Sequence, residues 1–181
     1  YLQGEFAKKH QTDPLTELPS RASFDWHFRL ANRENTGKSI IMVDIDHFKA
    51  INDEYGHPLG DKVLCEVAKL LQSQLRKGDI LARWGGEEFI ILLPRAKLSV
   101  ACEVAERARA TLANYGFATK NGLINVTASF GVAEGGANEG QESLIVRADE
   151  ALYRAKNEGR NKFRAALPLN ASRSAELLSV I

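Results

Sequence analysis

Apolar residues recur at helical spacing in four segments of the chain, and at strand spacing or in unbroken runs in four others. The helical periodicity predicts four helices, the first capped by Ser20 and the later three ended by Gly78, Gly116 and Gly159. They cover residues 20–32, 61–76, 99–115 and 142–157. Strands are predicted over residues 40–43, 80–84, 89–93 and 124–132, the first of them wholly apolar and therefore buried on both faces.

The order of these elements predicts an α+β sandwich with one central mixed sheet flanked by helices. The hairpin at residues 80–93 has Gly85-Gly86-Glu87-Glu88 as its turn. A hairpin in the middle of the chain fits a ferredoxin-like or polymerase-palm-like sheet better than a doubly wound parallel sheet. The pattern leaves the order of the strands open.

Composition narrows the class of protein. The chain has 181 residues, 44% of them hydrophobic and 26% charged, and a formal net charge of +1. This balance argues against a polymeric nucleic acid partner or an anionic membrane surface, and no apolar run approaches the roughly 20 residues of a membrane helix. Cys65 and Cys102 lie in apolar periodic segments, which predicts reduced core residues.

We expect a linker over residues 1–11, one domain over residues 12–165 and a tail over residues 166–181. The chain starts at Tyr1 rather than at a methionine, so we expect a piece of a longer protein. Residues 1–10 would then be the end of a helix that enters from upstream. A short helix at residues 175–180 is the only element predicted in the tail.

Four acids follow the predicted strands. Asp44 and Asp46 come at the end of the buried strand, and Glu87 and Glu88 form the hairpin turn. Two carboxylates about 7 Å apart repel each other by about 2 kcal/mol at an effective dielectric constant near 20. Acids crowded in this way favour a site for Mg²⁺ or Mn²⁺, which take oxygen ligands. The alternative is that they are solvated loop residues.

The two glycines of the turn allow two interpretations. A tight turn needs residues with positive φ, which Gly85 and Gly86 would supply. They also leave one side of the turn without side chains, so that a phosphate group could approach the backbone N–H groups. The neighbouring acids favour the second interpretation.

The run Arg83-Trp84-Gly85-Gly86-Glu87-Glu88-Phe89 resembles the signature of the GGDEF domain, the catalytic domain of diguanylate cyclases. The resemblance covers residues 12–163 in the right order. Its other blocks are Asp13-Pro14-Leu15-Thr16-Glu17-Leu18-Pro19-Ser20-Arg21 (Ser20 where Asn is usual), Asp44-Ile45-Asp46-His47-Phe48-Lys49, Ile51-Asn52-Asp53-Glu54-Tyr55-Gly56-His57-Pro58-Leu59-Gly60-Asp61, Ser129-Phe130-Gly131-Val132 and the segment from Ala148-Asp149 to Gly159-Arg160-Asn161.

The resemblance implies an enzyme that joins two GTP molecules into cyclic di-GMP and releases two pyrophosphates. It places two Mg²⁺ or Mn²⁺ ions on Asp44, the backbone carbonyl of Ile45, and Glu87. Glu87 is also the first candidate to deprotonate the attacking 3′-hydroxyl, and Glu88 is a weaker one. The resemblance further places Lys49 among the catalytic and phosphate-binding groups.

Guanine binding is implied for Asn52 and Asp61, with His57 and the backbone of Phe48 lining the same pocket. A carboxylate accepts hydrogen bonds from guanine N1–H and N2–H, which adenine does not offer as a pair. Without the resemblance, Asp61 would more simply be the N-terminal cap of its helix. One residue can perform both tasks.

Phosphate binding is implied for Lys49, Lys156, Arg160 and the backbone at Gly86. The alternative for Lys156 and Arg160 is that they complement the C-terminus of a helix. Arg76 and Asp79 resemble the inhibitory product site of the family, where an arginine and an aspartate bind cyclic di-GMP. The alternative is that the residues after Leu75 are an ordinary helix end.

Two nucleotides that attack each other imply a catalytic homodimer with two-fold symmetry. The resemblance also implies GTP as substrate, cyclic di-GMP as product and inhibitor, and a cytoplasmic location, either alone or as a domain of a larger sensor protein. The alternative functions are a catalytically silent domain that binds GTP or cyclic di-GMP, an enzyme for another cyclic dinucleotide, and a structural module with a metal-stapled hairpin.

Overall fold

The computed structural model describes residues 11–34, 37–136 and 139–166. This part of the chain contains five helices: α1 (Arg21–Arg33), α2 (Phe48–Tyr55), α3 (His57–Ser73), α4 (Leu98–Ala113) and α5 (Gln141–Asn157). Its strands are β1 (Lys38–Ile45), β2 (Ile80–Arg83), β3 (Glu88–Pro94), β4 (Gly116–Thr119), β5 (Gly122–Asn125), β6 (Ala128–Gly135) and β7 (Phe163–Ala165). Residues 1–10 of the linker predicted over residues 1–11, and the tail helix predicted at residues 175–180, lie outside the described residues.

Five strands form one mixed sheet in the order β2-β3-β1-β6-β7, and β4 pairs with β5 in a separate two-stranded sheet. β1 runs antiparallel to both of its neighbours, β2 is antiparallel to β3, and β7 is parallel to β6. The predicted fold class, a mixed α/β sheet flanked by helices, is therefore confirmed. β1 lies in the centre, so its C-terminal end is surrounded by other segments of the chain.

Side chains of β1 are buried on both faces of the sheet, as its apolar sequence predicts. Ile41, Val43 and Ile45 belong to a core shared with α3 and α4, whereas Ile40 and Met42 belong to a core shared with α1 and α5. The molecule therefore has three layers, and the sheet is the middle one. Asp44 follows the alternation of Ile40 and Met42, which assigns its side chain to the α1 and α5 face.

Helix α5 packs very closely against β6. A Cβ atom on Gly131 would lie 2.0 Å from the backbone oxygen of Ala148 and 2.4 Å from the backbone nitrogen of Leu152. Residues 144, 148, 151 and 155 of α5 are buried, as the helical periodicity predicts. Close contact with the sheet fixes the C-terminal end of α5, which carries Lys156.

The helix predicted at residues 61–76 is wrong at both ends. α3 begins at His57, with Gly56 as N-cap, and ends at Ser73, with Gln74 as C-cap. Asp61 therefore lies in the second turn, and its interpretation as the N-cap is wrong. Gly78 has a φ of 100° but lies beyond the helix, so it does not end it. Gly116 likewise begins β4, because α4 has already ended at Ala113.

The alternating segment predicted as one strand over residues 124–132 is divided between two sheets. β5 ends at Asn125 and β6 begins at Ala128. Three further elements have no counterpart among the predictions, namely α2, β4 and β7. Cys65 and Cys102 are free thiols, and both are partly rather than fully buried. Across the described ranges, no helix is both long and apolar enough to cross a membrane.

Candidate active site at the end of the central strand

The register of the sheet brings two acids side by side. Asp44 on β1 is the Cα partner of Glu88 on β3 and of Ser129 on β6. Directly opposed residues of antiparallel strands direct their side chains to the same face. The backbone N–H of the next residue, Ile45, donates to the carbonyl oxygen of Glu87 at 3.3 Å. The end of β1 and the hairpin turn, which are distant in sequence, therefore meet in space.

Burial raises the pKa of the Asp44 carboxyl, and the negative charge of Asp46 adds to this effect. Lys156 acts in the opposite direction, because its Nζ lies 2.9 Å from Oδ2 of Asp44. Burial also raises the pKa of Glu88, and the nearby charge of Asp44 raises it further. The pKa of Asp149 on α5 is raised by burial as well. The positive charge of Lys156 therefore does not fully compensate the negative charges of these acids.

Such a donor set fits Mg²⁺ or Mn²⁺. Within the described ranges, no group of three or more His, Cys, Asp or Glu side chains has the geometry to enclose a metal ion. Protein Mg²⁺ sites, however, commonly consist of one or two carboxylates, with water and substrate phosphate as the other ligands. Asp44 and Glu88, together with the carbonyl groups at the end of β1, match that pattern.

Asp46 lies next to this pair but is fully engaged with the protein. Its side chain is 5% exposed. Oδ1 accepts a hydrogen bond from Ser129 Oγ at 2.7 Å, and Oδ2 accepts from Thr127 Oγ1 at 2.7 Å and from the backbone N–H of Asn161 at 3.0 Å. The acid therefore joins three separate segments of the chain.

The hairpin turn differs from the prediction. Neither Gly85 nor Gly86 has a positive φ, so the expectation that they supply left-handed turn positions is wrong. A Cβ on Gly85 would lie 2.8 Å from Oε2 of Glu88, whereas one on Gly86 would meet nothing within 4 Å. The first glycine makes room for an acid of the site, and the second leaves open space beside the turn.

Arg83 holds this turn in place. Its guanidinium donates to the carbonyl oxygen of Gly86 at 2.8 Å and to that of Gly85 at 3.2 Å. It also forms an ion pair with Asp13 at 3.1 Å, and both side chains are 18% exposed. The turn is therefore tied to the segment that precedes α1.

Asp13 should stabilise the fold in a pH-dependent way. Burial raises its pKa, but hydrogen bonds from Thr16 and the interactions with Arg83 outweigh that effect and leave the pKa lowered. A lowered pKa stabilises the fold above the ordinary value near 4, and this contribution is lost as the pH falls through the folded-state pKa. We expect Asp13→Asn to cost about 1–2 kcal/mol at neutral pH, and less in acid. Urea denaturation at pH 7 and at pH 3.5 measures both values; an equal cost at both would contradict the assignment.

The two candidate guanine ligands lie at a corner between α2 and α3. Gly56 alone separates these helices. A Cβ on Gly60 would lie 1.9 Å from Oδ1 of Asn52, so the amide of Asn52 rests directly on α3. Asp61 is the next residue and is exposed, as is His57 at the start of the helix. Asn52 and Asp61 are therefore neighbours in space.

The other predicted residues are placed around this centre. Phe48 is buried and Lys49 is exposed in the first turn of α2, which starts directly after β1. Arg160 lies just beyond the end of α5 with a φ of 60°, and its positive charge opposes the rise in the pKa of Asp44. Asn52, Lys49 and Arg160 thus come from segments that converge at the end of β1.

Arg76 and Asp79 lie away from this centre, just before β2. The Arg76 side chain, 60% exposed, forms an ion pair with Asp79 at 3.1 Å and donates to the carbonyl oxygen of Pro94 at 2.9 Å. Cavities of about 430 Å³ and 280 Å³ flank the pair. The surface around Arg76 therefore has room for a ligand.

Asp13, Arg83 and the linking role of Asp46 were not predicted as parts of the site. Asp13 and Arg83 are both present in the sequence blocks that carry the resemblance, but they are 70 residues apart. No periodicity or spacing relates them. Only the pairing of the turn with the segment before α1 brings them together.

Asp44 and its cross-strand partner Glu88 thus lie at the end of the central strand, with Lys156 in contact with Asp44 and the glycine turn beside them. The family profile described as "Diguanylate cyclase, GGDEF domain" matches residues 10–162. The chain therefore belongs to the GGDEF domain family.

Individual relatives agree with this membership. The chain is 43% identical over 163 residues to diguanylate cyclase DgcP of Pseudomonas aeruginosa, covering 88% of this chain and 24% of that protein. It is 50% identical over 128 residues to diguanylate cyclase DgcM of Escherichia coli K12, covering 71% and 30%. The crystal structure of the coiled coil and GGDEF domain of DgcB from Caulobacter crescentus in complex with c-di-GMP has a TM-score of 0.81 at 32% identity, covering 91% and 90%. The chain thus spans less than a third of those two curated relatives.

Proposed function

We propose that this domain is a diguanylate cyclase, which condenses two GTP molecules into cyclic di-GMP and two pyrophosphates. The observation that carries the proposal is the register that pairs Asp44 with Glu88 beneath Lys156. Membership of the GGDEF family and the diguanylate cyclase names of its relatives support it.

Asp44, the carbonyl of Ile45 and Glu87 would hold two Mg²⁺ or Mn²⁺ ions, and the register adds Glu88 to the candidate ligands. When bound, the cations supply charge neutralisation at the phosphates and lower the pKa of the attacking hydroxyl. Lys156 and Asp44 already form a charge pair at 2.9 Å, so a phosphate that arrives with its cation can take over the lysine. Lys156, Arg160, Lys49 and the backbone at Gly86 would then bind the phosphates.

The reaction needs one proton acceptor for each bond formed. The 3′-oxygen of one GTP bonds to the α-phosphorus of the other, the bond from that phosphorus to the pyrophosphate oxygen breaks, and the 3′-hydroxyl proton leaves. Glu87 is the first candidate to accept this proton. Glu88 is the second, and its raised pKa supports a share in the transfer.

Guanine would be recognised at the corner between α2 and α3. Asp61 can accept from N1–H and N2–H of the base, and Asn52 can bond N3 or the exocyclic amine. His57 and the backbone of Phe48 would line the same pocket. Adenine would leave Asp61 without its partners at a cost of about 1–3 kcal/mol, which favours GTP over ATP.

A single domain offers one such site, whereas the product contains two nucleotides. The proposal therefore includes a homodimer in which two sites face each other, so that each 3′-hydroxyl meets the α-phosphorus held by the other domain. The proposal also includes a cytoplasmic location, where GTP is available as substrate.

Arg76 and Asp79 would form a product-binding site that limits synthesis. We expect Arg76→Ala to weaken inhibition by cyclic di-GMP by about tenfold, because a charged hydrogen-bond donor is lost, with little change in initial rate. Initial rates at increasing cyclic di-GMP measure this effect. Arg29→Ala, an exposed arginine of α1 outside both flanking cavities, is the control. An unchanged inhibition curve for Arg76→Ala would reject the regulatory site.

The proposed function is tested by incubating the protein with Mg²⁺ and either GTP or ATP, while pyrophosphate and cyclic dinucleotide are followed by chromatography. We expect two pyrophosphates per cyclic di-GMP from GTP and no product from ATP. Tight GTP binding without pyrophosphate release would replace the enzyme by a silent binding domain. Equal turnover of ATP would reject the guanine pocket at Asn52 and Asp61.

A further inference from the structure

The segment that carries Arg160 adopts an unusual backbone conformation directly after α5. Arg160 and Asn161 have φ values of 60° and 44°, so two consecutive residues other than glycine lie in the left-handed region. Asparagine tolerates this region but arginine does so rarely, so the conformation at Arg160 persists only where surrounding contacts impose it. The contacts that impose it here can be identified.

Two hydrogen bonds fix the backbone on either side of the Arg160 side chain. The N–H of Arg160 donates to the carbonyl oxygen of Ala155 at 3.0 Å, which closes the end of α5. The N–H of Asn161 donates to Oδ2 of Asp46 at 3.0 Å. The first bond is internal to the helix end, whereas the second ties the segment to the end of β1.

Asp46 is itself held firmly. Thr127 and Ser129 donate to its two oxygens at 2.7 Å each, and its backbone N–H donates to the carbonyl oxygen of Thr127 at 2.9 Å. Because the side chain is buried and both of its oxygens accept a hydroxyl hydrogen bond, these two bonds determine where Oδ2 points. The Asn161 amide thus meets an acceptor in a fixed position.

We propose that Asp46 is a positioning residue that places the Arg160 guanidinium for the triphosphate of GTP. The inference rests on the proposed function, in which Arg160 binds phosphate. Asp46 contacts neither nucleotide nor cation in this scheme; it acts through the backbone of residues 160 and 161. Asp46, one of the four acids that follow the predicted strands, is thereby given a task other than binding a cation.

The test combines a double-mutant cycle with hydrogen exchange. Asp46→Asn keeps the shape of the side chain but presents an N–H group to donors. Binding of the non-hydrolysable analogue guanosine 5′-(α,β-methylene)triphosphate and of GMP is measured by calorimetry for wild type, Asp46→Asn, Arg160→Gln and the double variant. Exchange of the Asn161 amide is followed in the same proteins.

We expect Asp46→Asn and Arg160→Gln each to weaken binding of the triphosphate analogue by about tenfold. The double variant should bind the analogue no more weakly than Arg160→Gln does. Affinity for GMP should change by less than about twofold, because the guanine corner is untouched. The Asn161 amide should exchange about tenfold faster in Asp46→Asn. If Asp46 had a merely structural role, Asp46→Asn would also weaken binding of GMP. Its effect on binding of the triphosphate analogue would then add to the effect of Arg160→Gln.

Asp25→Asn is the matched control, since Asp25 accepts a hydrogen bond from Gln141 at the opposite end of α5, about 25 Å away along the helix. It should leave all three measurements at wild-type values. If Arg160→Gln weakens binding of the triphosphate analogue and Asp46→Asn does not, the positioning role of Asp46 is overturned while the proposed function stands. If the wild type does not bind the triphosphate, the proposed function fails, and the exchange of Asn161 still decides whether Asp46 holds the segment.

Discussion

Asparagine in place of Asp44 is expected to abolish cyclic di-GMP synthesis without weakening the fold. The change removes a buried charge that the cations proposed for this site would need, and we expect turnover to fall by about three orders of magnitude, which corresponds to about 4 kcal/mol. Turnover is measured as pyrophosphate release with saturating GTP and Mg²⁺. Asp25→Asn, the same chemical change at a remote position, should retain wild-type activity.

The stability of Asp44→Asn can be deduced from the sign of the pKa shift. A raised pKa means that the folded protein disfavours the ionised carboxylate, so this charge destabilises the fold at neutral pH and does so less as the pH falls. A neutral side chain of the same shape removes that cost, and Lys156, 31% exposed, can turn towards water. We therefore expect a urea midpoint at or above that of wild type. Full activity of Asp44→Asn would contradict the proposed role of Asp44. Loss of both activity and folding would mean that activity is lost through unfolding rather than through removal of the charge.

Alanine in place of Gly131 is expected to produce the largest loss of stability. Its Cβ would overlap the backbone of α5 at Ala148 and Leu152, which cannot move as a flexible side chain could. Overpacking of this kind costs about 3 kcal/mol or more. Because 1 kcal/mol shifts the Tm of a chain of this size by about 2–4 °C, we expect a decrease of roughly 6–12 °C. Thermal unfolding followed by circular dichroism measures it.

Gly86→Ala is the matched comparison for Gly131→Ala. Gly86 has open space around it and no positive φ, so alanine should leave the Tm unchanged. Its methyl group would nevertheless occupy the side of the turn proposed for phosphate, and GTP affinity should fall. A stable Gly131→Ala protein would mean that α5 can move away from β6, and an unstable Gly86→Ala protein would mean that the turn depends on glycine for its fold.

The sequence predicts those elements whose apolar pattern is strong. Phe24, Phe28 and Ala31 recur at helical spacing, and α1 forms there with Ser20 as its cap. β1 is an unbroken apolar run and is buried on both faces. Helix α2 was missed because only one of its eight residues, Phe48, is buried. The start of α3 was misplaced because Gly56 and Pro58 resemble a loop, although proline is accepted in the first turn of a helix.

Alternation in sequence does not reveal where a strand leaves its sheet. Ile124 and Phe130 belong to the same alternating pattern, yet they lie in β5 and β6 of different sheets. The site shows the same limit. Asp44 and the hairpin acids could be selected as candidates because each ends a predicted strand, but the cross-strand partner of Asp44 depends on a register that local pattern does not encode.

The corner at Gly56 has a consequence for how the chain can vary in length. Each residue added to a helix turns the remainder of that helix by about 100°. One extra residue between Asn52 and Asp61 would rotate one side chain away from the other and push the Asn52 amide off the bare surface of Gly60. Insertions and deletions should therefore be excluded from this interval.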